Sequence, residues 1–311
     1  MNVNQRGFGC QPLRARHVGS YLSICAPALV ALLGCHSDVL DPRGPVSQAE
    51  KTILVDCVAI MLAIVVPTIL ATIGIAWWYR ASNANARRLP EWAFSGRIEL
   101  VVWSIPVMVI ILLGGVTWIG AHQLDPARPL DSKAAPIDIQ VVSLDWKWLF
   151  IYPEQDIASV NEIVVPANVS LHFTLTSASV MNAFFVPQLG SMIYTMNGMA
   201  TQLYLRADAP GTFRGLSSQY SGEGFSDMHF DVRAVAEDQF VAWIDAARKK
   251  GDTLNARSYA VFAKQSVNLA ASTFSSVEPG LFNAIVAQNI APGEGPQTEH
   301  SGVKQSATEG R

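Results

Sequence analysis

Two long stretches without a single charge constrain this chain more than anything else in it. Residues 57–79 contain no Asp, Glu, Lys or Arg, and neither do residues 100–121. At about 1.5 Å of rise per residue, each run makes a helix of roughly 33 Å, which matches a hydrocarbon core of about 30 Å. Trp77, Trp78 and Tyr79 close the first run and Trp118 lies near the end of the second, where aromatic side chains anchor helices at a membrane surface. Pro67 and Pro106 lie inside the runs, and membrane helices accept proline when neighbouring groups re-satisfy the backbone. The chain therefore reads as a membrane protein with a helical hairpin, its helices at 52–79 and 99–121.

Charge gives the hairpin an orientation. The connecting loop, 80–98, carries Arg80, Arg87, Arg88 and Arg97 against Glu91 alone, and cationic loops stay in the cytoplasm. Everything after about residue 122 is then periplasmic. The amino terminus agrees. Arg14, Arg16 and His17 precede an uncharged run at 18–33, which ends Leu32-Leu33-Gly34-Cys35. A basic flank and a short apolar run have the form of a secretory signal, and the closing tetrapeptide resembles a bacterial lipobox. Residues 1–34 are expected to be a signal peptide, Cys35 the lipidated first residue, and 35–51 a periplasmic lead-in to the first helix. The expected location is the bacterial inner membrane, with a lipid anchor and a large periplasmic domain. Asp56 and Glu99 stand at opposite ends of the hairpin. An acid at the bilayer centre costs about 3 kcal/mol, but at a helix end it costs little.

The 311 residues are 15% charged, against about 25% in an ordinary soluble protein, because the apolar residues gather in these early runs. Net charge is −3 and no basic stripe is present, which argues against a nucleic-acid partner. The cysteines are Cys10, Cys25, Cys35 and Cys57. The periplasmic part thus has neither a disulfide nor a thiolate metal ligand.

After a linker at 122–136, with Pro126, Pro129 and Pro136, the period changes. In residues 169–176 every second side chain is apolar, and Met228, Phe230 and Val232 alternate with His229, Asp231 and Arg233. That is the pattern of half-buried strands. Further short runs at 137–144, 146–151, 163–165, 194–196 and 201–206 are separated by Pro and Gly, which predicts an all-β sandwich or barrel over 137–235. Residues 236–290 read as a C-terminal helical segment. A first helix at 236–250 is acidic at its start, basic at its end and followed by Gly251, and a second is expected at 257–269. From 291 to 311 the composition suggests a disordered tail.

Several stretches resemble subunit II of the haem-copper oxidases. Glu99, Trp103, Ser104 and Pro106 follow that family's second-helix signature, with Ser104 in place of Thr. Residues 145–148, Asp-Trp-Lys-Trp, resemble the aromatic stretch that opens its β domain. Residues 179–187 and 217–222 align with the two segments that carry copper in the cytochrome c oxidases. The resemblance implies a cupredoxin-like sandwich in which two cysteines, two histidines, a methionine and a backbone carbonyl would hold two copper ions. Here Asn182 stands for the first histidine, Ser217 and Ser221 for the cysteines, Phe225 for the second histidine and Gln219 for the glutamate that offers its carbonyl. Met228 alone is kept. Soft thiolates make such a centre, and serine cannot replace them, so no metal or other cofactor is expected in this chain.

The same losses mark the quinol-oxidising branch, and residues 79–83, 146–155 and 217–228 resemble the bo-type enzymes in particular. The resemblance implies a proton-pumping ubiquinol oxidase of the aerobic respiratory chain. Haem and copper would lie in subunit I, where catalysis resides. Subunits I, III and IV would be partners, and cytochrome c would not. It also implies that Glu99 lies near the mouth of a proton pathway, and that Trp146 packs at a subunit interface in place of an electron-transfer role. The competing expectation is a non-enzymatic membrane lipoprotein with a copper-free cupredoxin module.

Overall fold

The computed structural model describes residues 38–295, apart from 88, 90, 133 and 294. The expected signal peptide, Cys35 and residues 296–311 lie outside the described residues. Helix α1 spans Pro45–Trp78 and α2 spans Gly96–Gln123. Pro45 opens α1, where no backbone N–H is needed. Pro67 and Pro106 are carried inside the two helices. The pair approaches closely near its periplasmic end, where a Cβ on Gly120 would meet Ile53 at 2.8 Å. Most of the other apolar side chains point outward, Leu70 at 64% and Ile110 at 69% exposure, as expected of helices that cross a membrane.

Ten strands follow: β1 Ile137–Leu144, β2 Lys147–Tyr152, β3 Ile157–Val160, β4 Glu162–Pro166, β5 Leu171–Ser177, β6 Asn182–Phe185, β7 Ile193–Thr195, β8 Thr201–Leu205, β9 Gly211–Ser217 and β10 His229–Val235. Beyond them lie α3 Glu237–Lys249, β11 Thr253–Leu254, α4 Ala256–Phe262, β12 Ser272–Phe274, β13 Ser276–Val277 and α5 Leu281–Val286. One sheet runs β12-β3-β2-β1-β5-β8 and the other β4-β10-β9-β6-β7. They form the expected sandwich. Strands β1 with β5 and β4 with β10 are parallel, while the other pairs in these sheets are antiparallel.

Two apolar clusters explain why β2 is buried along its whole length. Trp148, Phe150 and Tyr152 face the second sheet, where Trp148 meets Phe184 and Phe230 at ring separations of 5.6 and 5.4 Å. Leu149 and Ile151 point the other way, with Val142 and Leu144, into a second cluster closed by Leu254, Tyr259, Leu281 and Phe282. The C-terminal segment thus covers the outer face of the first sheet. The second helix of that segment ends at Phe262 rather than running to 269. Two side-chain donors hold the chain on this other course, and the first competes directly with the helix. Lys147 Nζ donates to the Lys264 carbonyl at 2.6 Å, and Asn161 Nδ2 donates to the Leu269 carbonyl at 2.7 Å. A helix running to 269 would engage the Lys264 carbonyl internally, through the N–H four residues on. The freed chain pairs with β3 as β12. Residue 293 is tied down as well, its N–H donating to the Ala178 carbonyl at 2.8 Å.

The first turn of α1 is seated on the sandwich. Ser47 Oγ donates to the Gln188 carbonyl at 2.7 Å, as does the Arg43 N–H. A Cβ on Gly44 would lie 2.4 Å from the Arg206 carbonyl, so only glycine lets the backbones approach this closely. The linker after α2 is pinned too: Tyr204 N–H donates to the Pro126 carbonyl at 2.9 Å, and Arg206 Nη1 to the Asp131 carbonyl at 3.0 Å.

Candidate functional site

The end of the second sheet gathers the six positions that the sequence left in two separate stretches. Asn182 opens β6, Ser217 closes β9, and Met228 immediately precedes β10. Since β6, β9 and β10 are neighbours, their ends meet at one edge. Gln219 and Ser221 lie in the connection, and Phe225 lies on a short 3-10 turn, Glu223–Asp227. Asn182, Ser217, Ser221 and Met228 are buried, while Gln219 and Phe225 are half-buried.

Hydrogen bonds knit this edge together. The Ser217 hydroxyl lies 3.2 Å from both Asn182 Oδ1 and the Gln219 carbonyl, its two acceptors. Asn182 Nδ2 donates to the Val180 carbonyl at 3.3 Å. Ser221 Oγ makes a long 4.0 Å contact with Met228 Sδ. The Phe225 ring meets Tyr220 edge to face at 5.7 Å. These donors do not fit a dinuclear copper centre. Hydroxyls keep their protons near neutral pH, an amide and a thioether bind weakly, and a phenyl ring offers no ligand atom.

Trp146 lies over the same loop. It occupies the two-residue turn between β1 and β2 with φ +64°, a left-handed conformation that a bulky side chain rarely adopts. Its Nε1 donates to the Ser221 carbonyl at 3.0 Å, and its ring fills the space where a Cβ on Gly224 would stand, 2.4 Å away. At 8% exposure, Trp146 is buried against its own domain. The turn holds the indole inward, against the loop that links Ser217 to Met228.

Lys147, next along, is a feature the sequence reading missed. It is 2% exposed, with its ammonium donating to Lys264 and to Ser266 Oγ at 2.7 Å and standing 4.8 Å from the Phe262 ring centroid. Burial pushes it down to about 8, an effect that Asp145 partly opposes. A lysine flanked by two tryptophans is the signal that could have marked it.

Glu99 stands apart. It lies exposed in the first turn of α2, with its N–H donating to the Ser95 carbonyl at 3.0 Å. A carboxylate there complements the positive end of the helix dipole. The helix extends roughly 40 Å from this end to the periplasmic one, so the six positions and Glu99 belong to opposite ends of the molecule.

Residues 139–235 match the family described as Cytochrome C oxidase subunit II, periplasmic domain, and residues 248–293 match the COX Aromatic Rich Motif. Ubiquinol oxidase subunit 2 of Acetobacter aceti is 48% identical, over 83% of this chain and 84% of that protein. Cytochrome bo(3) ubiquinol oxidase subunit 2 of Pseudomonas aeruginosa is 46% identical, over 91% and 86%. The chain belongs to the subunit II family of haem-copper quinol oxidases. Quinol oxidase subunit 2 of Bacillus cereus, at 36% identity over 80% and 86%, is a more distant member. Membership makes this a membrane-bound respiratory oxidase subunit with a periplasmic β domain, whose partner subunit I carries haem and copper. In this subunit II the aromatic-rich stretch is the segment that covers the first sheet, supplies β12 and receives the Lys147 ammonium.

Proposed function

We propose that this chain is the copper-free subunit II of a proton-pumping ubiquinol oxidase, and that it has a structural part on the periplasmic side and a proton-entry part on the cytoplasmic side. Catalysis resides in subunit I, where ubiquinol is oxidised and oxygen is reduced to water. The observation that carries this reading is the replacement of every thiolate and imidazole position by Ser217, Ser221, Asn182 and Phe225, closed by the Ser217–Asn182 hydrogen bond. With no electron-accepting metal here, cytochrome c has no way in. The names of the Acetobacter and Pseudomonas relatives support ubiquinol as the donor. The sandwich caps subunit I, the hairpin braces it, and subunits III and IV complete the complex. Residues 1–34 are removed and Cys35 carries lipid.

Glu99 is the proton-entry carboxylate. Its exposure at the cytoplasmic end of α2 leaves it able to collect protons from water. The oxidase purified through a tag on this chain should contain haem, oxidise ubiquinol, leave reduced cytochrome c untouched and hold no copper beyond that of subunit I. Extra copper, or turnover with cytochrome c, overturns the reading. Glu99→Ala should slow turnover and proton uptake at least several-fold; unchanged rates of both remove Glu99 from the proton path.

A further inference from the structure

We propose that the cavity where the hairpin meets the sandwich binds the headgroup of a zwitterionic aminophospholipid, its phosphate on Arg128 and its ammonium on Asp125 and Asp131. The cavity has a volume of about 270 Å³ and lies between the first turn of α1, the end of α2, the linker and β8. The uncharged run of α2 ends at residue 121, and Gln123 and Leu124 already line the cavity. Its level is therefore the periplasmic surface of the bilayer, where headgroups lie. At this size, below the usual range of about 300–1,000 Å³ for small-molecule pockets, it suits a headgroup rather than a whole amphiphile.

The lining matches that ligand. Val46, Leu124 and Leu203 give an apolar floor, while Arg128, Asp125 and Asp131 bring both signs of charge to one space. Among the described residues no ion pair engages any of these three. Asp125 Oδ1 accepts the Ala127 N–H at 3.0 Å, which fixes the carboxylate without neutralising it. An arginine in such a place pairs well with phosphate, and the two carboxylates favour a headgroup that ends in an ammonium over one that is purely anionic. The cavity is built rather than incidental. Its outer wall, the linker, is held to β8 and to residue 206 by the Tyr204–Pro126 and Arg206–Asp131 hydrogen bonds.

The proposal depends on the membrane crossing alone and stands apart from the electron donor and from Glu99. The test uses the assembled oxidase, delipidated and then supplied with phosphatidylethanolamine or phosphatidylglycerol in nanodiscs, with retained lipid counted by native mass spectrometry. The intact protein should keep phosphatidylethanolamine in preference to phosphatidylglycerol. Arg128→Gln should weaken retention of both roughly tenfold, the scale set by loss of one charge-assisted contact. Asp125→Asn with Asp131→Asn should keep the phosphate contact and lose the preference. Because these side chains are exposed, the variants should assemble normally. Equal retention by the wild type and Arg128→Gln overturns the site; a phosphatidylglycerol preference in the wild type overturns the ligand class. Binding of soluble phosphoethanolamine with no lipid retained also overturns it, since the occupant is then not a membrane lipid.

Discussion

At the scale of single residues, Asn182 and Ser217 are held by a small polar network with its own energetic consequence. Ser217 and Asn182 satisfy each other inside the domain, Asn182 with no exposure at all. Ser217→Ala should leave the amide oxygen unpaired and cost about 1–3 kcal/mol, read as a lower midpoint in chemical denaturation. Lys147 supplies a pH test. Its folded-state value of about 8 lies below the ordinary 10.5, so between these values the unfolded chain binds the extra proton. Stability contributed at this position should therefore rise from about pH 8 to pH 10.5, by on the order of 3 kcal/mol. Lys147→Met should flatten that part of the stability profile, and an unchanged slope refutes the assignment. That residues 182, 217, 221 and 225 carry neither thiolate nor imidazole was legible in the sequence, because it is a matter of composition. Lys147 was not, because its burial depends on residues 262–266, more than a hundred positions away in the chain.

At the scale of elements, the legible parts were those with a period of their own. The uncharged runs announced α1 and α2, alternation announced β5, and charge asymmetry announced α3. Strands β3, β6 and β9 were missed. Strand β3 is buried throughout and shows no alternation. Strand β9 carries Gly215, which looks like a turn residue but is needed for space: a Cβ there would meet the Phe230 ring at 2.2 Å. Gly215→Ala should overpack this contact and destabilise the domain by about 1–3 kcal/mol, seen as a lower unfolding temperature with the fold retained by circular dichroism. The shortened α4 is another tertiary override, since local propensity cannot register the pull of Lys147 on the carbonyl of 264. A chain ending after Lys250 should expose Leu144, Leu149, Ile151 and Val160 together with the free edge of β3. Such a surface invites aggregation, so size-exclusion chromatography of the truncated protein should show large assemblies in place of the wild-type species.

At the scale of the whole molecule, the chain divides its interest between two ends about a membrane thickness apart. The periplasmic edge packs Asn182, Ser217, Ser221 and Met228 into its interior, and the cytoplasmic end presents an exposed carboxylate in Glu99. Double substitution of Ser217 and Glu99 should therefore be additive, since sites this far apart share no partner. A stability defect should follow the serine and a turnover defect the glutamate. Coupled effects in a double-mutant cycle refute this independence.

The two ends are nonetheless joined stiffly. Ser47, Gly44 and Arg43 seat α1 directly on residues 188–189 and 206 of the sandwich, and the strap from α2 is fastened at Pro126 and Asp131. Hairpin and sandwich should then act as one lever with its fulcrum at the bilayer surface. A thinner bilayer tilts the helices and should swing the far sheet through the same angle. Paired spin labels, one on α2 and one on β10, should keep a constant separation in thin and thick bilayers while the domain's orientation to the membrane normal changes. Anything resting against the periplasmic domain would in this way register the thickness of the membrane beneath it.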